Sequence, residues 1–161
     1  MELVYETIRI GQAADASAAD RERLSELTAL SEAWEAENCC PSYTANRADA
    51  FCGRDVYVCL ADGHIAGYAL GHFETLEKKT SYNTPGEKAF ELDELYVRRD
   101  VRHRGAGAAL FRYVESAVAP QADLITLFAV SDRYLELLRF YIDELGMTFN
   151  SAHLVKRMKQ E

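Results

Sequence analysis

The chain has 161 residues, 48% hydrophobic and 27% charged, which fits one globular domain with enough apolar material for a core. Its net charge of -8 argues against general nucleic-acid binding by bulk electrostatics, and no apolar run is long enough to span a bilayer. The first ten residues lack a charged leader with a hydrophobic stretch, so the expectation is a soluble, cytoplasmic protein with no membrane partner.

In chain order, residues 4–10 predict a first strand. Ser17, with Asp20 three residues on, resembles a helix N-cap, and Leu24, Leu27, Leu30 and Trp34 carry the stripe of the helix that follows. Residues 38–53, with Pro41, read as irregular or briefly helical. Residues 56–60 and 65–73 flank Asp62-Gly63, the strongest hairpin signal in the chain. Polar residues 77–88 contain the turn Pro85-Gly86 and lead to a strand over 89–97. From Ala106 a helix is predicted, with Ala109, Leu110, Tyr113, Val114, Ala117 and Val118 on one face. Pro120 breaks it, and residues 124–130 read as a buried strand. Residues 132–145 predict a helix with Tyr134, Leu137, Leu138, Tyr141, Ile142 and Leu145 on one face. Residues 147–149 and 153–158 then predict a closing hairpin. No repeat or linker divides the chain, so residues 1–161 read as one domain.

The cysteines, Cys39, Cys40, Cys52 and Cys59, form no CxxC pair and read as free thiols in a reducing compartment, Cys59 within the core. His64, His72, His103 and His153 show no metal-binding spacing, so no metal is expected.

The stretch 90–113 carries the functional signal. Its strand is followed by a basic connection and a helix whose first turn contains Arg102, His103, Arg104, Gly105, Ala106 and Gly107. The first amides of a helix have no intrahelical partner, its dipole adds positive charge there, and small residues let a phosphate approach the backbone. Arg102 and Arg104 add side-chain charge. A pyrophosphate site is expected. There is no GxxxxGK string for a P-loop. A Rossmann turn is also excluded, because seven residues separate strand from glycine and Leu110 occupies the third glycine position.

The order Leu95-x-Val97, four residues, then Arg102-x-x-Gly105-x-Gly107 resembles the coenzyme A signature of the GNAT N-acetyltransferase superfamily. The resemblance extends over nearly the whole chain. It implies an α/β (α+β) fold with a mixed, mostly antiparallel sheet, a splayed strand pair and flanking helices. It also implies an acetyl-CoA-dependent N-acetyltransferase that works by direct attack within a ternary complex. By resemblance, Leu95, Tyr96 and Val97 lie against the pantetheine arm, and Arg102, His103, Arg104, Gly105, Ala106, Gly107 and Ala108 wrap the pyrophosphate.

Acetyl transfer needs a base for the ammonium and benefits from an acid for the departing thiolate. Simple alternation puts Glu91, Asp93, Leu95 and Val97 on one face of the strand, and Leu92, Glu94 and Tyr96 on the other. The resemblance implies a base or amine ligand at Glu91 or Asp93, with Glu91 preferred and Glu94 third. It implies the acid at Tyr141, from Tyr134-x-x-Leu137-x-x-Phe140-Tyr141. That string keeps the family's aromatic pair but lacks its Asn and Ala, and Gly146 follows one residue late. The acidic surface favours a small cationic amine as acceptor. Residues 35–54 and the last hairpin would select it, with Tyr43 and Asn46 as pocket residues and Trp34 packing its helix. A protein lysine or N-terminal acetyltransferase and a non-catalytic acyl-CoA-binding module are the alternatives, and a homodimer is compatible with either.

Overall fold

A computed structural model describes residues 1–159. Five strands form one sheet in the order β1-β2-β3-β4-β5: β1 (Leu3–Arg9), β2 (Asp55–Ala61), β3 (His64–Leu76), β4 (Glu87–Val97) and β5 (Leu124–Leu127). The first four pair antiparallel and β4 pairs parallel to β5. The hairpin β2–β3 turns at Asp62 and Gly63, whose φ values of 51° and 85° fit the tight turn that Asp-Gly favours.

Helix α1 (Ala18–Glu37) starts where Ser17 Oγ accepts from the Asp20 amide at 3.1 Å, and ends at Asn38 in the left-handed region. Leu24, Leu27 and Leu30 bury its stripe against Val56, Val58, Tyr68 and Tyr96 on one face of the sheet. Helix α2 (Ala106–Val118) covers the other face. Its buried residues are Ala106, Ala108, Leu110, Phe111, Val114 and Val118, so the apolar stripe is turned toward Phe111 and away from the expected Ala109, Tyr113 and Ala117. Helix α3 (Tyr134–Leu138) runs into a π-helical turn (Arg139–Glu144) on the same side as α2.

Three expectations are corrected. The strand predicted for 124–130 stops at Leu127, and its four residues are half-buried rather than buried. The single helix predicted for 132–145 is two turns of different pitch, with Tyr134 exposed. The closing hairpin does not form: residues 147–149 and 153–158 are in no strand, Met147 is half-buried against the core, and the others are exposed. A strand needs a neighbour, and among the described residues none flanks the outer edge of β5.

No helix among the described residues is long and apolar enough to cross a membrane.

Candidate active site

The parallel pairing of β4 with β5 runs only from Ala89 opposite Leu124 to Leu92 opposite Leu127. β4 continues to Val97 without that partner, so a gap opens between the strands. The Arg98 amide donates to Ala66 O, and Tyr96 stands opposite Tyr68. Alternation of the ladder therefore turns the main-chain groups of Leu95 and Val97 away from β3 and into the gap. Tyr96, expected beside them, has its main chain toward β3.

Beyond β4 the chain makes a short 3-10 turn (Arg99–Val101), then swings through His103 and Gly105, at φ 60° and 78°, into α2. Glycine carries the second of these positive angles without a Cβ penalty. Among the described residues, no backbone or side-chain acceptor takes the amides of His103, Arg104, Gly105, Ala106, Gly107 or Ala108. The first helical bond of α2 comes from Ala109, to Gly105 O at 2.9 Å. Six unpaired donors at a helix start are a candidate seat for an anion.

The Arg102 side chain does not line this seat. Its Nε donates to Val97 O at 2.8 Å, and its terminal nitrogens donate to Glu37 at 2.6 and 3.0 Å. The guanidinium also stacks over the Tyr96 ring, and Tyr96 Oη donates to the same Glu37 carboxylate at 2.7 Å. Burial alone would raise the Glu37 pKa, but Arg102, Tyr96 and Arg99 outweigh it and hold the carboxyl below its usual range. The charge expected beside the phosphates is neutralised. Arg104, exposed and in no ion pair among the described residues, is the loop's available cation.

The carboxylates of β4 are rearranged by a bulge. Leu70 pairs with Glu94 but Gly71 with Leu92, leaving Asp93 as the extra residue. Gly71 makes this packing possible, since a Cβ there would meet the Phe90 ring and stand 2.5 Å from Glu91 O. The bulge resets the alternation. Phe90, Leu92, Leu95 and Val97 all face the α2 side, whereas Tyr96 packs on the α1 side. Glu91 therefore shares a face with Glu94 and Tyr96, and the expected row of Glu91, Asp93, Leu95 and Val97 does not exist.

Glu91 and Asp93 meet on one imidazole. His72 Nε2 lies 3.1 Å from Glu91 and Nδ1 lies 2.9 Å from Asp93, and the hydrogen bond to Asp93 is the main reason the His72 pKa is raised. Sequence spacing left this histidine isolated, yet it stands in an acidic cluster with Glu74 and Glu91. Glu94 has different company. Tyr68 Oη donates to it at 2.8 Å, and Asn46 Nδ2 reaches both its oxygens at 2.8 and 3.0 Å. Tyr43 lies 3.2 Å from Tyr68 and 2.6 Å from the buried Ser31, whose Oγ accepts from the Asn46 amide. Burial raises the Glu94 pKa, and the bonds from Tyr68 and Asn46 only partly offset it. No local motif marks Glu94. The signal would have been the pair Tyr43 and Asn46 in a segment expected to form the acceptor pocket.

That segment is tied to the far wall of the gap. Asp132 N donates to Cys39 O at 2.9 Å, Ser131 Oγ to the same oxygen at 3.2 Å, and Cys40 Sγ to Val130 O at 3.1 Å. Trp34 stacks on Tyr43 and Tyr96, a packing role.

Tyr141 lies on the α2 side, 8% exposed, with its ring edge-on to Phe111. Burial pushes its phenol up to about 12. Among the described residues the hydroxyl has no side-chain hydrogen bond and is not a sealed, unsatisfied atom, so it keeps some exposure. The late Gly146 is absorbed by the π turn, in which Leu145 N donates to Phe140 O across five residues. Phe140 itself lies against Gly107, 3.5 Å from where a Cβ would stand.

A model of the acetyltransferase (GNAT) family matches residues 22–147. A search of curated proteins finds no significant match. Among solved structures, an aminoglycoside acetyltransferase from an uncultured soil metagenomic sample superposes with a TM-score of 0.63 at 18% identity, over 99% of this chain and 100% of that one. A ribosomal-protein-alanine N-acetyltransferase from Brucella melitensis biovar Abortus gives 0.61 at 17% identity, over 98% and 100%. An aminoglycoside N-acetyltransferase in complex with CoA gives 0.64 at 11% identity, over 99% and 96%. At these identities the likeness concerns the fold.

Proposed function

The chain belongs to the GNAT family of acetyltransferases, and from that premise we propose that it moves an acetyl group from acetyl-CoA to the primary amine of a small cationic substrate. One observation carries this reading: β4 runs on past its pairing with β5, so that the main chain of Leu95 and Val97 lacks a partner strand on that side, between the six unpaired amides that follow it and the half-buried carboxylate of Glu94 on the same strand. The pantetheine arm fits the gap as an added strand, and the pyrophosphate fits the amides of residues 103–108 with Arg104 beside them.

The amine nitrogen attacks the thioester carbonyl carbon in a ternary complex. A C–N bond forms, the C–S bond breaks, and the coenzyme leaves as a thiolate. Before attack the ammonium must lose a proton. Glu94 is assigned that role ahead of Glu91 and Asp93, because its raised pKa brings it nearer the operating range of a base and His72 does not occupy it. Tyr141 is assigned the proton given to sulfur, since a phenol held at about 12 is protonated at neutral pH.

The cationic acceptor is supported by Glu91, Asp93 and Glu94 close together in a domain of net charge -8. Two of the similar structures are aminoglycoside acetyltransferases, which is in keeping with this choice. Four free thiols suit a reducing, cytoplasmic compartment.

Incubation with acetyl-CoA and a panel of polyamines, amino sugars, amino acid derivatives and peptides, read by mass spectrometry, tests the proposal. Acetylation of a small cationic amine is expected. Acetylation confined to peptides would make this a protein-modifying enzyme, and binding of acetyl-CoA with no product from any amine would make it a binding module.

A further inference from the structure

One polar residue is buried where the stripe of α1 calls for an apolar one. Ser31 lies four residues after Leu27 and three before Trp34, and it is fully buried. A serine there weakens the helix relative to alanine and costs desolvation unless its hydroxyl is paired. Asn83, the other buried polar side chain among the described residues, bonds only within its own turn, to Lys78, Thr80 and Thr84. Ser31 bonds outward, to the segment that follows its helix. Its Oγ lies 2.6 Å from Tyr43 Oη and accepts from the Asn46 amide at 2.7 Å.

These bonds close a ring. Asn46 Nδ2 and Tyr68 Oη both donate to Glu94, and Tyr43 Oη lies 3.2 Å from Tyr68 Oη. Each hydroxyl has one hydrogen, so the ring has a direction. Tyr68 gives its hydrogen to the carboxylate and must accept from Tyr43. Tyr43, its own hydrogen so engaged, must accept from Ser31. Two arms therefore run from Ser31 to Glu94: a one-way row of three hydroxyls, and the main-chain anchor of Asn46. Such a row polarises and strengthens its last bond.

We propose that Ser31 is a positioning residue for Glu94: from the buried face of α1 its hydroxyl fixes the direction of the Tyr43 and Tyr68 hydrogen bonds and holds Asn46 against the carboxylate. Its catalytic meaning rests on Glu94 being the base proposed above. The titratable groups around that carboxylate are Asp93 on its own strand, Arg54 before β2, Tyr68 on β3, and Tyr43 and Cys40 after α1. Loss of the Ser31 hydroxyl leaves the charged ones, Asp93 and Arg54, as they are.

A nuclear magnetic resonance titration of the Glu94 carboxyl carbon in the full chain tests this without any turnover, the signal being identified by its loss in Glu94→Gln. Both arms favour the charged carboxylate, so in Ser31→Ala the midpoint should lie at higher pH than in the wild type. Alanine favours the helix, and the variant should keep its fold. Tyr43→Phe cuts the row of hydroxyls but spares the Asn46 anchor, and should raise the midpoint less. Thr28→Ala removes a hydroxyl of the same helix that bonds only to the helix carbonyls of Leu24 and Ser25, and should leave the midpoint unmoved. In Ser31→Ala, kcat/KM should fall about threefold on the acid side and recover at high pH. A raised midpoint with an unmoved kinetic limb would support the positioning of Glu94 and sink its assignment as base. A midpoint that stays put in Ser31→Ala, or moves equally in Thr28→Ala, would overturn the role of Ser31.

Discussion

Glu37, the last residue of α1, and Arg102, the first of the glycine-rich turn, form a two-pronged ion pair across 65 positions of sequence. The pair fixes the turn indirectly, because the same guanidinium donates to Val97 O at the end of β4. Glu37→Gln should therefore raise KM for acetyl-CoA about tenfold and leave KM for the amine nearly unchanged. The stability cost should be about 1–2 kcal/mol, below that of a fully buried pair because the Arg102 side chain is 29% exposed. The Glu37 carboxyl is held below its usual range in the folded state, so this contribution is present above the unfolded pKa and lost as pH falls through the folded one. Steady-state kinetics and acid titration of the variant check both parts; equal change in the two KM values would contradict a role at the turn.

Glu94 should set the acid limb of kcat/KM. Burial raises its pKa, so that limb should lie above the ordinary glutamate range. Tyr68 and Asn46 stabilise the charged form, hence Tyr68→Phe should move the limb to higher pH. Glu94→Gln should lower kcat/KM at neutral pH by roughly two to four orders of magnitude, with partial recovery at high pH, where free amine is abundant. An unmoved limb in Tyr68→Phe, together with full activity in Glu94→Gln, would return the base to Glu91, Asp93 or water.

Tyr141→Phe removes one hydroxyl from a ring that packs on Phe111 and Phe140. It should lower kcat by roughly one to three orders of magnitude and leave acetyl-CoA affinity unchanged. Wild-type turnover would make Tyr141 a packing residue.

Much of this architecture was legible in local sequence. Asp62-Gly63, Ser17 with Asp20, and the turn at Gly105 each encode their own geometry within a few residues. What was illegible depended on partners distant in sequence. The bulge at Asp93 is a relation between β3 and β4, permitted by Gly71, so alternation along β4 alone put Glu91 on the wrong face. Arg102 looked like a phosphate ligand because Glu37 is invisible from its own motif. Glu94 gains its environment from Tyr68 and Asn46, brought in by β3 and by the segment after α1. The late Gly146 was visible, but whether it rotated the helix or lengthened a turn was decided by packing, which made a π turn. Residues 153–158 have the pattern of a strand and no neighbouring strand among the described residues.

The seat of acetyl-CoA is the central claim, and isothermal titration of acetyl-CoA into wild type and Gly107→Asp tests it most directly. A Cβ at Gly107 makes only ordinary contacts, at 3.5 Å or more, so the variant should fold. Its carboxylate would stand among the six unpaired amides, against the phosphates. The wild type should bind, and the variant should bind at least about a hundredfold more weakly with its melting temperature preserved. Equal affinity in the two proteins would contradict the account.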